Sequence, residues 1–308
     1  YNNKRALELL KLFREFPEIR FHLEIHPALL TNELKTALAD MPTGCLHLEA
    51  GIQSLHENVL MQSRRSGDLR HSLEGLRYLC SLTNMETHAD LIAGLPLYKL
   101  EQIFEDIHVL AHFGAGEIQL ESLKVLPGTE MRKRAEEWGI RYSPYPPYEV
   151  LETNEITTEE LQYAKQLSRL LDGYYNTPVW QKITRQLILS ESGFLKSFLN
   201  FLIDSDVIDK PLSIEKRGLL LYDFCKQVYP EYTVHVSVAW IIAGLSLKKA
   251  PAEKVMTKHQ NPPSVWNILQ GKYKDSLKLC RLPHKTGNYW FGFEPETQIH
   301  VPVFIAEN

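Results

Sequence analysis

The segment RALELLKLFREFP repeats apolar positions at helical spacing and stops at Pro17, after which IRFHLEIHP alternates polar and apolar residues as a half-buried strand does. The order then recurs. Thr31 is placed to cap a helix over NELKTALAD, TGCLHLEAG reads as a strand, DLRHSLEGLRYLCSL as a helix, METHADLIAG as a strand, YKLEQIFEDIHVLAHF as a helix and GEIQLESLKV as a strand. The central residues Glu24, Glu49, Asp90 and Glu121 lie 25, 41 and 31 residues apart, which fits parallel strands joined by crossover helices.

Strand side chains alternate between faces, so the pattern puts His22, Glu24 and His26 on one side and Phe21, Leu23 and Ile25 on the other. It likewise groups His47, Glu49 and, if the strand stays extended, Gln53; then His88 with Asp90; then Gln119 with Glu121. Helices covering both faces would leave both apolar, whereas a barrel around a polar ligand hides acids, imidazoles and amides. The sequence therefore predicts an α/β protein with a partial (β/α) barrel. A closed barrel takes about eight strands, and residues 1–150 supply only half of that, so the front of the barrel is expected to precede Tyr1.

Past the prolines Pro144, Pro146 and Pro147 the pattern changes. Thr157 and Glu160 form a capping box for a helix running to about Asn176, and helical stretches follow over 178–190, 192–204, 213–228 and 234–247. The closing segment KLCRLPHKTGNYWFGFEPETQIHVPVFIA reads as a small antiparallel sheet. The expected domains are a partial barrel over 1–152 and a mostly helical domain over 153–308.

Composition narrows the classes. A net charge of -4 without a Lys/Arg block gives no footprint for nucleic acid. The apolar runs fall short of the roughly 20 residues needed to cross a bilayer, and YNNKRALELL has no signal-peptide core, so a cytoplasmic, membrane-free fragment is expected. Cys45, Cys80, Cys225 and Cys280 contain no CxxC pair and read as reduced, packed thiols. His22, Glu24 and His26 on one strand face have the residue types of a metal site, but the same composition on the next strands suits a polar interior better. Gly94, Leu95 and Pro96, and Pro127, Gly128 and Thr129, read equally as pocket floor or ordinary turns, and Tyr145, Tyr148, Tyr174 and Tyr175 as packing aromatics.

The segments GIQSLHENVLMQSRRSGD, HADLIAGLP and LKVLPGT, spaced as they are after FHLEIHP, resemble the radical S-adenosylmethionine (SAM) superfamily. The likeness is to its coproporphyrinogen-dehydrogenase-like branch and to cobalamin-domain relatives with a DUF4080 C-terminal domain, which PPYEVL and the helical region after it resemble. The resemblance implies that Glu24, Gln53, Arg65 and Asp90 surround SAM. Its chemistry suits them: the Arg65 fork for the methionyl carboxylate, Glu24 for the ammonium, Asp90 for the ribose hydroxyls, and Gln53 as donor and acceptor.

The resemblance further implies a [4Fe-4S] cluster, a 5′-deoxyadenosyl radical acting on an unidentified substrate, cobalamin in some relatives, and a flavodoxin- or ferredoxin-type electron donor. The cluster's CxxxCxxC motif does not occur in this sequence, so its ligands are expected outside the chain and the chain alone is expected to be inactive. Two other classes stay open: a non-catalytic binding or regulatory protein on the same fold, and a metal-dependent barrel hydrolase using His22, Glu24 and His26.

Overall fold

In the computed structural model, residues 2–64, 68–252, 279–285, 287–294 and 299–306 are described. The chain divides into two compact units, Tyr1–Asn176 with Ile188–Leu199, and Thr177–Leu187 with Asn200–Asn308.

The first unit begins with α1 (Asn3–Phe13), capped by the Asn2 side chain, which accepts from Arg5 N at 3.1 Å. β1 (Phe21–Ile25) follows, then a 3-10 turn over Pro27–Leu29 and α2 (Asn32–Ala39), whose first turn is held by Thr31 Oγ1 accepting from Leu34 N. Next come β2 (Leu46–Gln53), the short α3 (Glu57–Gln62), α4 (Leu69–Ser81), β3 (Glu86–Ala93), α5 (Leu100–Phe113) and β4 (Glu117–Ser122). α6 (Glu130–Lys133) leads to a small antiparallel pair, β5 (Arg141–Tyr142) with β6 (Val150–Glu152). α7 (Thr158–Leu170) starts at the expected Thr157/Glu160 capping box and passes into a π-helical turn, Leu171–Tyr175, instead of continuing as α-helix to Asn176.

β1 to β4 form one parallel sheet in the order β1-β2-β3-β4. This is the arrangement that helix-joined strands predict. Leu46, Leu48, Ala50 and Ile52 of β2 are buried and alternate with His47, Glu49, Gly51 and Gln53. α4 packs on β3, and α5 on β3 and β4, each through an apolar stripe that includes Leu76 and Leu79 of α4 and Ile103, Ile107 and Leu110 of α5. Gly75 lets α4 approach the turn before α2: a Cβ there would stand 2.1 Å from the Pro27 carbonyl oxygen. At the far edge, the Asn176 side chain substitutes for a neighbouring strand, accepting from Ile118 N at 2.9 Å and donating to Ile118 O at 3.0 Å.

α8 (Pro178–Ser190), α9 (Phe194–Asp204), α10 (Ile214–Val228) and α11 (Thr233–Ile242) make the later half helical, close to the spans read from the sequence. In the second unit Trp180 and Trp240 are fully buried with ring centroids 6.3 Å apart, and Gly218 leaves room for both. β7 (Leu279–His284), β8 (Gly287–Glu294) and β9 (Ile299–Ala306) form the expected antiparallel sheet.

Candidate functional site on the polar sheet face

Register turns the alternating sequence into rows of polar groups. His22 lies beside His47; Glu24 beside Glu49, which lies beside His88, itself beside Glu117; Gly51 lies beside Asp90 and Asp90 beside Gln119. These groups bond to one another across the strands. His22 Nε2 is 2.9 Å from Glu49 Oε2, His47 Nε2 is 2.8 Å from His88 Nε2, and His88 Nε2 is 2.5 Å from Glu117 Oε2. Where the strands begin, Arg20 donates to Glu86 at 2.5 Å and also reaches His47 Nδ1.

Burial sets the charge on this array. His47 and His88 are pushed below the usual imidazole range, first by desolvation. Glu49 is held low, chiefly by its hydrogen bond with His22. Asp90 is raised to about 7, by burial first and then by its hydrogen bond with Glu49 and the charges of Glu49, Glu121 and Glu24. His47 and His88 are therefore biased toward the uncharged form and Glu49 toward the ionised one, while Asp90 is biased toward holding its proton near neutral pH. Asp90 Oδ1 is buried without a hydrogen-bond partner, leaving an acceptor position for a ligand donor.

The sequence-derived residues are placed as follows. Glu24 is exposed on β1, in register with Glu49, and belongs to the same face as Asp90. Gln53 closes β2, but the strand does not stay extended: register shifts between Gly51 and Gln53, and Gln53 adopts φ 69°. Arg65 lies outside the described residues. His26 lies past the end of β1, before the 3-10 turn, so the three-residue metal face over His22, Glu24 and His26 is not formed by one strand. His22 is paired with Glu49 instead, and among the described residues no group of three or more His, Cys, Asp or Glu is arranged to hold a metal ion.

Other members of the array were not singled out by the sequence. Arg20 and Glu117 stand at the edges of their predicted strands, where alternation gives little guidance, and their roles come from cross-strand register. Asp106 is a buried acid with Tyr98, Ser54 and Leu55 as donors. An acid within the apolar stripe of an amphipathic helix was the available signal.

Residues 136–239 match the family described as a protein of unknown function, DUF4080. No curated protein matches the chain. Among solved structures, similarity extends to the radical SAM methyltransferase TsrM from Kitasatospora setae with tryptophan and a SAM analogue, at 13% identity and a TM-score of 0.38, covering 51% of this chain and 32% of that one. It extends also to coproporphyrinogen III oxidase HemN from Escherichia coli, a radical SAM enzyme, at 15% identity and a TM-score of 0.42, covering 60% of this chain and 43% of that one. The chain thus spans less than half the length of either. The DUF4080 match includes PPYEVL and much of the helical region that the sequence resemblance assigned to it, and begins before them, at residue 136.

Proposed function

We propose that this chain is the SAM-binding part of a radical SAM enzyme, with SAM held on the polar face of the parallel sheet. The observation that carries the reading is the convergence of Glu24 and Asp90 on one sheet face, with an unpartnered buried acceptor at Asp90 Oδ1. These groups fit the donor-rich ligand: Glu24 accepts from the ammonium, Asp90 accepts from a ribose hydroxyl, and Gln53 offers both an acceptor and a donor at the end of β2. Arg65 completes the set as the carboxylate partner, and the DUF4080 match agrees with the relatives named by the sequence motifs. When bound together with a reduced [4Fe-4S] cluster, SAM supplies a 5′-deoxyadenosyl radical; the protein's share is to bind, orient and shield it.

The sequence has no CxxxCxxC motif, and two of the described cysteines are poor candidates for the cluster. Cys45 and Cys225 are buried thiols whose pKa values are raised by burial, Cys225 to about 12, as in packed, unreactive cysteines. Cluster ligands, any cobalamin and the electron donor are assigned outside this chain, on the resemblance alone. The test is to prepare the parent protein anaerobically with iron and sulfide, reduce it, and measure 5′-deoxyadenosine released from SAM. Release that disappears in Asp90→Ala and Arg65→Ala is expected; a parent that binds no cluster and releases none would leave a binding or regulatory protein on the same fold.

A further inference from the structure

Asp106 sits in the apolar stripe of α5 beside Ile103 and Ile107 and is 2% exposed. A carboxyl group there costs desolvation energy that only hydrogen-bond partners offset. Asp106 Oδ2 accepts from Leu55 N at 2.8 Å, from Ser54 Oγ at 3.3 Å and from the fully buried Tyr98 hydroxyl at 2.5 Å, while Oδ1 lies 3.1 Å from His56 Nε2. Ser54 Oγ in turn accepts from His56 N at 3.1 Å.

These donors come from two separate loops, one leaving β2 and one leaving β3. Next to them stand two residues in the left-handed region: Gln53 at φ 69°, just before Ser54, and Leu97 at φ 65°, just before Tyr98. Neither is a glycine, and a strained side-chain-bearing residue persists only where its surroundings over-determine it. The neighbour of each is tied to the same carboxylate. A Leu or Ile at position 106 would fill the stripe as its neighbours do, but only an acceptor gathers donors from both loops.

We propose that Asp106 is a positioning residue that locks the loops after β2 and β3 together and thereby fixes Gln53 at the SAM pocket. The locking stands on geometry alone, and the link to SAM rests on the function proposed above. Asp106 acts through the backbone that follows Gln53, at Ser54 and Leu55.

Two measurements on the full chain separate these parts. Backbone hydrogen exchange in Asp106→Asn is expected to show residues 54–56 and 97–98 losing protection together, with the β2–β3 ladder unchanged. SAM affinity, titrated with SAM itself, is expected to fall about tenfold in Asp106→Asn, and the Gln53→Ala, Asp106→Asn double variant to bind no more weakly than Gln53→Ala alone. Unchanged exchange, or loss in one loop only, overturns the lock; additive affinity losses overturn the route through Gln53. A wild-type chain that binds no SAM overturns the SAM reading, while the exchange result still decides the lock. If Asp106→Asn does not fold, Tyr98→Phe replaces it: removing that one hydroxyl is expected to raise exchange at Leu55, in the other loop, and no change there contradicts the proposal.

Discussion

At Asp90 the environment inverts what the residue type suggests. An isolated aspartate is ionised at neutral pH, yet burial and the neighbouring acids lift this one to about 7, whereas Glu49, two strand positions from it in register, is kept ionised by His22. The consequence for stability has a definite sign. An acid whose folded pKa exceeds its unfolded value, near 3.9 for Asp, binds more protons when folded, so stability falls as pH rises between the two values and the full cost is present above the higher one. Asp90→Asn removes that cost. Thermal unfolding from about pH 4 to about 8 is expected to show the variant gaining on the wild type up to about pH 7, after which the gap stays constant. Parallel profiles across the range would mean that Asp90 is ionised throughout. The residue types of this site were legible in the sequence through strand alternation. Their charge states were not, because these depend on which acid stands beside which imidazole after the strands pair.

Elements were read well where period and capping agreed. Thr31 and the Thr157/Glu160 box start their helices where the sequence places them, and β1, β3 and β4 fall within the predicted segments, while β2 runs two residues past its own, to Gln53. The short α3 was missed because its six residues are too few to show a period and no side chain caps it. The end of β2 was only conditionally legible: alternation carries Gln53 onto the polar face, but the bulge at Gly51 and the left-handed backbone at Gln53 break the alternation where the site needs it. Helix seating depends on a similar local exception. Because the Pro27 carbonyl occupies the space a Cβ would need at Gly75, Gly75→Ala must push α4 away from the turn before α2. The expected cost is about 1–3 kcal/mol, the usual range for overpacking. Chemical denaturation measures it, and a variant as stable as the wild type would show that α4 moves freely over that turn.

For the whole molecule, the sequence order of helix-strand units, then helices, then a small sheet is the order observed. What it could not supply was the network that makes the sheet face a site. The His47–His88 contact joins residues 41 apart in sequence, and the Asp106 cluster joins α5 to loops about 50 and 8 residues away. Such contacts exist only once register and helix packing are fixed, so composition and period carry no trace of them. The Arg65 assignment stays where the sequence left it, resting on motif resemblance, while Glu24 and Asp90 now share a described surface. The measurement that tests the central claim most directly is equilibrium binding of isotopically labelled SAM to the purified protein, with Asp90→Ala and Glu24→Gln alongside the wild type. The polar-face site predicts saturable binding to the wild type and a loss of about tenfold or more in each folded variant, the magnitude of one good charged or buried hydrogen bond. Equal binding by all three proteins would place SAM elsewhere and contradict the account.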